Sequence, residues 1–150
     1  MTTRPDLVFL FDVDNTLLDN DRVQGDLFRH LARAFGPKAR DRYVAIFEEL
    51  RTELGYADYL GALERYRLEN LHDPRLLNVA NWLVDYPFAA RLYPGALEVI
   101  RRVRRWGQVA ILSDGDAVFQ PRKVERSGLG KAFGGHVLIF VHKENELTAV

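Results

Sequence analysis

The stretch "FLFDVDNTLLDND", residues 9–21, joins an apolar run directly to a cluster of acidic side chains. Residues 7–11 are all apolar, which is typical of a strand that is buried on both faces of a parallel sheet. Asp12 and Asp14 follow this run, two positions apart, and Thr16 comes next. In an extended chain the two carboxylates point to the same side, with their Cα atoms about 6–7 Å apart. Because two such carboxylates repel each other, the pattern predicts a hard divalent cation such as Mg²⁺.

The apolar pattern changes to helical spacing after this stretch. Four helical segments are predicted, over residues 23–35, 43–54 and 59–66, and from Asp73-Pro74 to Val84. Glycines end the first two segments, and Asp73-Pro74 is typical of a helix start. Residues of about 20 to 88 are therefore predicted to form an all-helical block inserted between two strands.

Strand and helix patterns alternate in the rest of the chain. A helix is predicted after Tyr93-Pro94-Gly95, a second strand at residues 109–112, a helix at 118–127 and a third strand at 137–141. This order favours an α/β fold with a Rossmann-like parallel sheet and right-handed crossovers. The predicted domains are an α/β core, formed by residues 1–19 and 89–150, and a helical domain, formed by residues 20–88. Residues 143–150 begin what is predicted to be one more helix.

Each of the three predicted strands ends in polar residues. The first strand is followed by residues 12–16, the second by Ser113-Asp114-Gly115-Asp116 and the third by His142-Lys143. The carboxyl ends of parallel strands meet at one edge of a sheet, where ligands bind. Alone, an Asp-x-Asp pair is more often a turn or capping signal, Ser113 a loop hydroxyl and Lys143 a solvated lysine. Their shared position favours a functional site.

These residue types suit phosphoryl transfer. One carboxylate can attack phosphorus while a second carboxyl protonates the leaving oxygen. A lysine can neutralise the transferring group, and a serine hydroxyl with nearby backbone amides can hold its oxygens. Lys123 and Lys131 compete with Lys143 for the neutralising role, but Lys143 is preferred because it follows a strand directly. The glycine-rich residues 128–135 precede a strand, so they are interpreted as a turn and not as a nucleotide loop.

Composition narrows the classes of partner. The chain has 21 basic and 21 acidic residues, and its zero net charge provides no long-range attraction to nucleic acid or to a membrane. It has no cysteine, which excludes disulfides, thiolate nucleophiles and cysteine-based zinc sites. Its apolar runs are far shorter than the roughly 20 residues of a membrane span, and residues 1–6 do not resemble a signal peptide. We therefore expect a cytoplasmic protein that binds a small molecule.

The motifs resemble those of the haloacid dehalogenase-like (HAD) hydrolase superfamily. Residues 12–17, Asp-Val-Asp-Asn-Thr-Leu, are similar to its first motif, and residues 110–115 to its second. Tyr93-Pro94-Gly95 resembles the usual lead-in to the second motif, and residues 137–144 resemble the approach to the third. The resemblance covers essentially the whole chain, and the first motif is specific.

The resemblance implies a role for each motif residue. Asp12 would be the nucleophile, Asp14 the general acid and base, Ser113 the phosphoryl ligand and Lys143 the neutralising lysine, with Thr16, Asp114 and Gly115 as phosphate-binding or supporting residues. Mg²⁺ would be held by the Asp12 carboxylate and the Asp14 backbone carbonyl. A carboxyl at position 14 favours phosphatase or phosphotransferase chemistry over dehalogenation, because dehalogenase members lack it. The resemblance thus implies a phosphatase that acts on a small phosphorylated metabolite through an aspartyl-phosphate, with residues 20–88 as a helical cap.

One motif of the family has no counterpart in this chain. The fourth motif, one or two aspartates after a further strand that lies next to the first, is not matched before Val150. We therefore expect a core that is truncated before this motif, weak Mg²⁺ binding and an exposed edge along residues 7–11. The alternative function is a weak or inactive HAD-like fragment that binds a phosphorylated ligand or a protein partner. An exposed edge would also allow a homodimer. The substrate and the oligomeric state do not follow from the sequence.

Overall fold

A computed structural model describes residues 7–148 and places a parallel sheet beside a group of helices. In chain order the elements are β1 (Val8–Phe11), α1 (Asn20–Phe35), α2 (Pro37–Leu54), α3 (Tyr59–Glu69), α4 (Arg75–Val84), a 3-10 helix (Phe88–Arg91), α5 (Ala96–Val103), β2 (Gln108–Asp114), α6 (Phe119–Arg126), α7 (Leu129–Ala132), β3 (Val137–Phe140) and a second 3-10 helix (Lys143–Asn145). The α/β fold with a parallel sheet, predicted from the sequence, is confirmed.

The three strands of the described residues lie in the order β1-β2-β3, and both pairings are parallel. Phe11 at the end of β1 pairs with Ile111, and Asp114 at the end of β2 pairs with Phe140. The central strand β2 has a neighbour on each side, and its residues from Val109 to Ser113 are buried. This register brings the polar residues that follow all three strands to one edge of the sheet.

Strand β1 differs in burial from the sequence-based expectation. Val8 is 47% exposed and Leu10 is 41% exposed, whereas Phe9 and Phe11 are half-buried. Within residues 7–148 only β2 pairs with β1, so the other edge of β1 is open. The expectation of an exposed edge is confirmed for the described residues. The expectation that both faces of β1 are buried is wrong there, because elements cover only one face.

Helices α1–α4 form the block that the sequence predicted between the first two strands. Two glycines with positive φ, Gly36 (φ 91°) and Gly55 (φ 78°), end α1 and α2. The side chain of Asp19 caps α1 by accepting a hydrogen bond from the Arg22 N–H at 3.0 Å. The apolar faces of these helices share a core whose fully buried members include Leu27 and Phe47.

The chain enters and leaves the helical block through two adjacent segments. The Asp19 N–H donates to the Arg91 carbonyl at 2.8 Å, and the Tyr93 N–H donates to the Leu17 carbonyl at 2.9 Å. Farther in, the Phe119 ring of α6 packs against Tyr59 of α3 at 5.2 Å between ring centroids. The division into a core and a separate helical domain at residues 19/20 and 88/89 stays a prediction.

Two local elements differ from the sequence-based predictions. Residues 129–132 form the short helix α7 where a simple turn was predicted, and Gly128 starts it with φ 82°. Residues 143–145 form one 3-10 turn in place of the start of an α-helix, and residues 149–150 lie outside the described part of the chain. Across residues 7–148, every helix is too short or too polar to cross a bilayer.

Candidate active site

The carboxyl edge of the sheet forms one wall of a cleft of about 280 Å³. Asp12, Asp14, Ser113, Asp114 and Lys143 line this wall. The opposite wall is lined by residues of the helical block and the loop after α2: Asn20, Asp21, Gln24, Phe47, Arg51, Gly55, Tyr56, Ala57 and Tyr59. All four residues that were predicted to be catalytic therefore line one cleft.

The loop after β1 is shaped by its own backbone and by Asn15. The Val13 carbonyl accepts hydrogen bonds from the N–H groups of Thr16, Leu17 and Leu18. Asn15 has φ 56°, in the left-handed region that asparagine tolerates better than most residues. Its side-chain oxygen accepts from the Asn20 N–H at 2.9 Å, which ties the loop to the start of α1. Asn15 was not among the site residues predicted from the sequence.

Lys143 lies at the Asp12 carboxylate. Its Nζ is 2.8 Å from Asp12 Oδ1, and the Thr16 hydroxyl donates to Asp12 Oδ2 at 3.3 Å. The Asp114 carboxylate accepts a 2.7 Å hydrogen bond from the Lys143 N–H, so the end of β2 holds the segment that carries Lys143. Asp114 thus supports the lysine, whereas Lys131 is exposed on α7. The roles of these residues in catalysis stay predictions.

A second lysine, Lys123 of α6, lies at Asp14. Its Nζ is 2.7 Å from Asp14 Oδ1 and 2.9 Å from the side-chain oxygen of Asn20. The side chain of Lys123 is fully buried, with its ammonium 5.1 Å from the centre of the Phe119 ring. From the sequence, Lys123 was predicted only as a competitor of Lys143. In the structure the two lysines do not compete, because each pairs with a different aspartate.

Gln120 of α6 contacts both Asp14 and Ser113. Its Nε2 is 3.3 Å from Asp14 Oδ2 and 3.0 Å from Ser113 Oγ, and its side chain is buried. Sequence reasoning missed Gln120. The available signal was its spacing of three from Lys123, since both lie on the helix face that also carries Phe119.

Ser113 and Gly115 both lie against Gln120. The Ser113 hydroxyl is buried and donates to the Asp114 carbonyl at 3.1 Å. A Cβ on Gly115 would lie 2.5 Å from the Cβ of Gln120, so glycine is needed for α6 to approach β2. The structure therefore provides a packing reason for Gly115, and phosphate binding by Ser113 and Gly115 stays a prediction.

Two oxygens at the end of β1 suit a magnesium ion. The Asp12 carboxylate is one, and the Asp14 carbonyl, which accepts no backbone hydrogen bond from the described residues, is the other. No group of three His, Cys, Asp or Glu residues within residues 7–148 could hold a metal ion by itself. Mg²⁺ commonly binds one or two carboxylates and takes its other ligands from water and substrate phosphate. The residues present fit Mg²⁺ bound in this way.

Tyr59 closes the far side of the cleft with a neutral hydroxyl. Burial raises the pKa of Tyr59 from 10.0 to about 12, and its hydroxyl is protonated at neutral pH with either value. The hydroxyl oxygen accepts a hydrogen bond from Asn20 Nδ2 at 3.1 Å. Because Asn20 also contacts Lys123, hydrogen bonds connect Asp14 to helices α1 and α3.

Known proteins match this chain over nearly its whole length. Residues 7–145 match a family model described as haloacid dehalogenase-like hydrolase. A haloacid dehalogenase-like hydrolase from Burkholderia xenovorans is 60% identical, with a TM-score of 0.91 over 96% of this chain and 65% of that chain. No protein of curated function matches the sequence.

Two more distant structures share the fold. A HAD-hydrolase from Bacillus subtilis, bound to magnesium, is 18% identical, with a TM-score of 0.56 over 91% of this chain and 64% of that chain. The L-2-haloacid dehalogenase from Xanthobacter autotrophicus, with chloropropionic acid covalently bound, is 24% identical, with a TM-score of 0.54 over 89% of this chain and 56% of that chain. This chain thus spans less than two thirds of the length of each of these three proteins.

Proposed function

The chain belongs to the haloacid dehalogenase-like hydrolases, and from this we propose that it acts as a Mg²⁺-dependent phosphatase on a small phosphorylated metabolite. The observation that carries the proposal is the second carboxylate, Asp14, which lines the cleft beside Asp12. The oxygen of an alkyl phosphate ester leaves readily only when it is protonated, whereas a halide leaves without a proton. A carboxyl that can deliver a proton therefore serves phosphate esters and has no comparable use in dehalogenation.

In the first half of the reaction, an Asp12 carboxylate oxygen attacks phosphorus. The bond from phosphorus to the ester oxygen breaks, and that oxygen keeps the electron pair and takes the proton of the Asp14 carboxyl. Lys143, 2.8 Å from Asp12, neutralises the negative charge that gathers as the phosphate approaches the carboxylate. The Asp12 carboxylate and the Asp14 carbonyl would hold Mg²⁺, which would supply further positive charge beside the phosphoryl oxygens.

In the second half, water hydrolyses the aspartyl-phosphate. The Asp14 carboxylate takes a proton from water while the water oxygen attacks phosphorus. The bond between phosphorus and the Asp12 oxygen breaks, and its electron pair restores the Asp12 carboxylate. One carboxyl group thus gives a proton in the first half and takes one in the second, so the cycle returns the protein to its starting state.

The opposite wall of the cleft supports a small, anionic substrate. Arg51 lines it, and the nearest carboxylate oxygen to its guanidinium, that of Glu48, is 3.8 Å away, beyond hydrogen-bond distance. The Arg51 guanidinium can therefore bind an anionic group of the substrate outside the phosphate. Tyr56 and Phe47 offer apolar surface beside it. A cleft of about 280 Å³ suits a metabolite and not a polymer.

The experiment is the hydrolysis of p-nitrophenyl phosphate and a panel of small phosphomonoesters, with and without Mg²⁺. We expect Mg²⁺-dependent turnover by the wild type and none by Asp12→Asn, because an amide oxygen is a poor nucleophile. Asp41→Asn, which changes an exposed carboxylate of α2, is the matched control and should keep full activity. Equal activity of the wild type and Asp12→Asn would contradict the proposal.

A second candidate is a protein that binds phosphorylated ligands without turnover. It is favoured by the lack, within residues 7–148, of any group of three His, Cys, Asp or Glu side chains that could hold a metal ion. Thermal unfolding with Mg²⁺ and beryllofluoride, a mimic of the phosphoryl group, separates the candidates when it is combined with the assay. A rise in Tm without hydrolysis supports this candidate, whereas a rise in Tm with hydrolysis supports the phosphatase.

A further inference from the structure

We propose that Gln120 and Lys123 are positioning residues that hold the Asp14 carboxyl for proton transfer, an inference that rests on the proposed phosphatase function. The two residues lie three apart on the buried face of α6. Each contacts a different oxygen of Asp14, Lys123 at 2.7 Å and Gln120 at 3.3 Å. The carboxyl is thereby fixed in direction as well as in place.

The contacts leave one side of Asp14 free for substrate. Its side chain is 32% exposed, although both of its oxygens are held from the α6 side. Gln120 also donates to Ser113 Oγ at 3.0 Å. The same amide therefore links Asp14 by hydrogen bonds to Ser113, the predicted phosphoryl ligand. A group that must reach the leaving oxygen benefits from this arrangement, because a misplacement of about 1 Å can cost on the order of a hundredfold in rate.

The burial of Lys123 argues against a role in stability alone. Its side chain is only 1% exposed, and removing an ammonium from water is costly. A well-packed apolar side chain of similar length would often stabilise such a position as well or better. The lysine instead directs all of its hydrogen bonds that the structure records to Asp14 and to Asn20, which lines the same cleft.

Gly115 allows α6 to lie close enough for these contacts. An alanine there would place its Cβ 2.5 Å from the Cβ and 2.6 Å from the Cγ of Gln120, and neither atom is the free end of a side chain. Gly115→Ala should therefore displace Gln120 from Asp14 without changing any group that reacts. It provides a test of the same inference that leaves both positioning side chains in the protein.

The test compares phosphoryl donors whose leaving groups differ in their need for a proton. Phosphoenzyme formation is followed in single turnovers by acid quench and mass spectrometry, with p-nitrophenyl phosphate and with glycerol phosphate. p-Nitrophenolate leaves without a proton, whereas an alkoxide requires one. The variants are Lys123→Met, Gln120→Leu and Gly115→Ala, and the control is Lys131→Met at an exposed lysine of α7.

We expect Lys123→Met to slow phosphoenzyme formation from glycerol phosphate at least about tenfold more than formation from p-nitrophenyl phosphate, because general acid catalysis contributes about 10²–10⁴ in rate. Gln120→Leu and Gly115→Ala should shift the ratio in the same direction, and Lys131→Met should leave it unchanged. Beryllofluoride with Mg²⁺ should still raise the Tm of the variants, because Asp12 and Lys143 remain.

A parallel slowing with both donors, or no slowing, would show that Gln120 and Lys123 only pack and would overturn the inference while the phosphatase stands. Absence of phosphoenzyme from the wild type with both donors would instead overturn the proposed function, and the inference with it. Phosphoenzyme formation by the wild type thus distinguishes failure of the positioning inference from failure of the proposed phosphatase function. Gln120→Leu and Gly115→Ala carry the test if Lys123→Met does not fold.

Discussion

Two aspartates that are two positions apart have different surroundings in this cleft. Asp12 is paired with Lys143, which is 28% exposed, and Asp14 with Lys123, which is 1% exposed. The accessible pair can rearrange when a phosphate arrives, whereas the buried pair is fixed by packing. This difference suits a nucleophile that must meet the substrate and an acid that must keep its direction.

At the residue scale, Lys143→Met removes the positive charge next to Asp12. We expect kcat/KM for p-nitrophenyl phosphate to fall by about 10²-fold or more, because the phosphate and the Asp12 carboxylate then repel each other without compensation. Lys131→Met on the surface of α7 is the control. Activity of Lys143→Met within about threefold of the wild type would exclude the neutralising role that we assign to Lys143.

Arg51 provides a test of substrate selection, also at the residue scale. For phosphomonoesters that carry a second anionic group, Arg51→Met should raise KM by about tenfold or more with little change in kcat, because one charge-assisted hydrogen bond is lost. For p-nitrophenyl phosphate KM should not change. Arg101→Met, at an exposed arginine of α5, is the control. An equal rise of KM for both kinds of substrate would show that Arg51 does not bind the second anionic group.

At the scale of elements, a cluster around Asp26 holds α1 against the first 3-10 helix. The Asp26 carboxylate accepts hydrogen bonds from Tyr86, Arg91 and Arg29, with Arg91 at 2.7 Å. Burial alone would raise the pKa of this carboxyl, but the three hydrogen bonds outweigh it and lower the pKa from 3.8 to about 2. The ionised carboxylate is therefore favoured in the folded protein, and the cluster stabilises the fold only while Asp26 is ionised.

The lowered pKa predicts acid sensitivity. The contribution of Asp26 to stability is complete above about pH 4. It is lost as the pH falls from 3.8 through about 2, because the Asp26 carboxylate binds a proton more strongly in the unfolded chain than in the folded protein. Between pH 5 and pH 2 the free energy of unfolding should fall by roughly 1–2 kcal/mol less in Asp26→Asn than in the wild type. Urea unfolding at several pH values measures this. Asp41→Asn should keep the wild-type dependence of the free energy of unfolding on pH. The same dependence in Asp26→Asn as in the wild type would contradict the prediction.

Helix α6 shows how one element can serve both packing and the site. Phe119 packs against Tyr59 and Phe88, which joins the sheet side of the molecule to the helical block. Gln120 and Lys123 on the same face contact Asp14. A helix that is fixed by aromatic packing holds its polar side chains more rigidly than a loop would, which suits a positioning role.

At the scale of the whole molecule, the open edge of β1 is the surface most suited to self-association. Leu7 is 50% exposed and Val8 is 47% exposed, and unpaired strand edges bind other strands. We expect the mass from light scattering after size exclusion to rise with protein concentration, and Leu10→Lys to suppress that rise. Leu71→Lys, at an apolar residue 65% exposed elsewhere, is the control. A mass that does not change with concentration, or that rises equally in Leu10→Lys, would exclude association through this edge.

Much of this molecule could be predicted because its signals are local. The apolar run before Asp12 and the helical spacing after it depend on neighbouring residues, and so do the glycines that end α1 and α2. The parallel sheet then follows from the order of elements, and it brings Asp12, Asp14, Ser113 and Lys143 to one edge. The burial of β1 was predicted less well, because burial depends on which elements cover a strand.

The contacts around Asp14 could not be derived from sequence, because they join residues that are far apart in the chain. Lys123 is 109 positions from Asp14, and Gln120 is 106. Helical spacing places Gln120 and Lys123 on one face of α6, but it does not predict which residues that face contacts. The sequence by itself thus determined the order of elements and the carboxylates that end β1, whereas the packing of α6 against β2, over Gly115, decided which groups hold them.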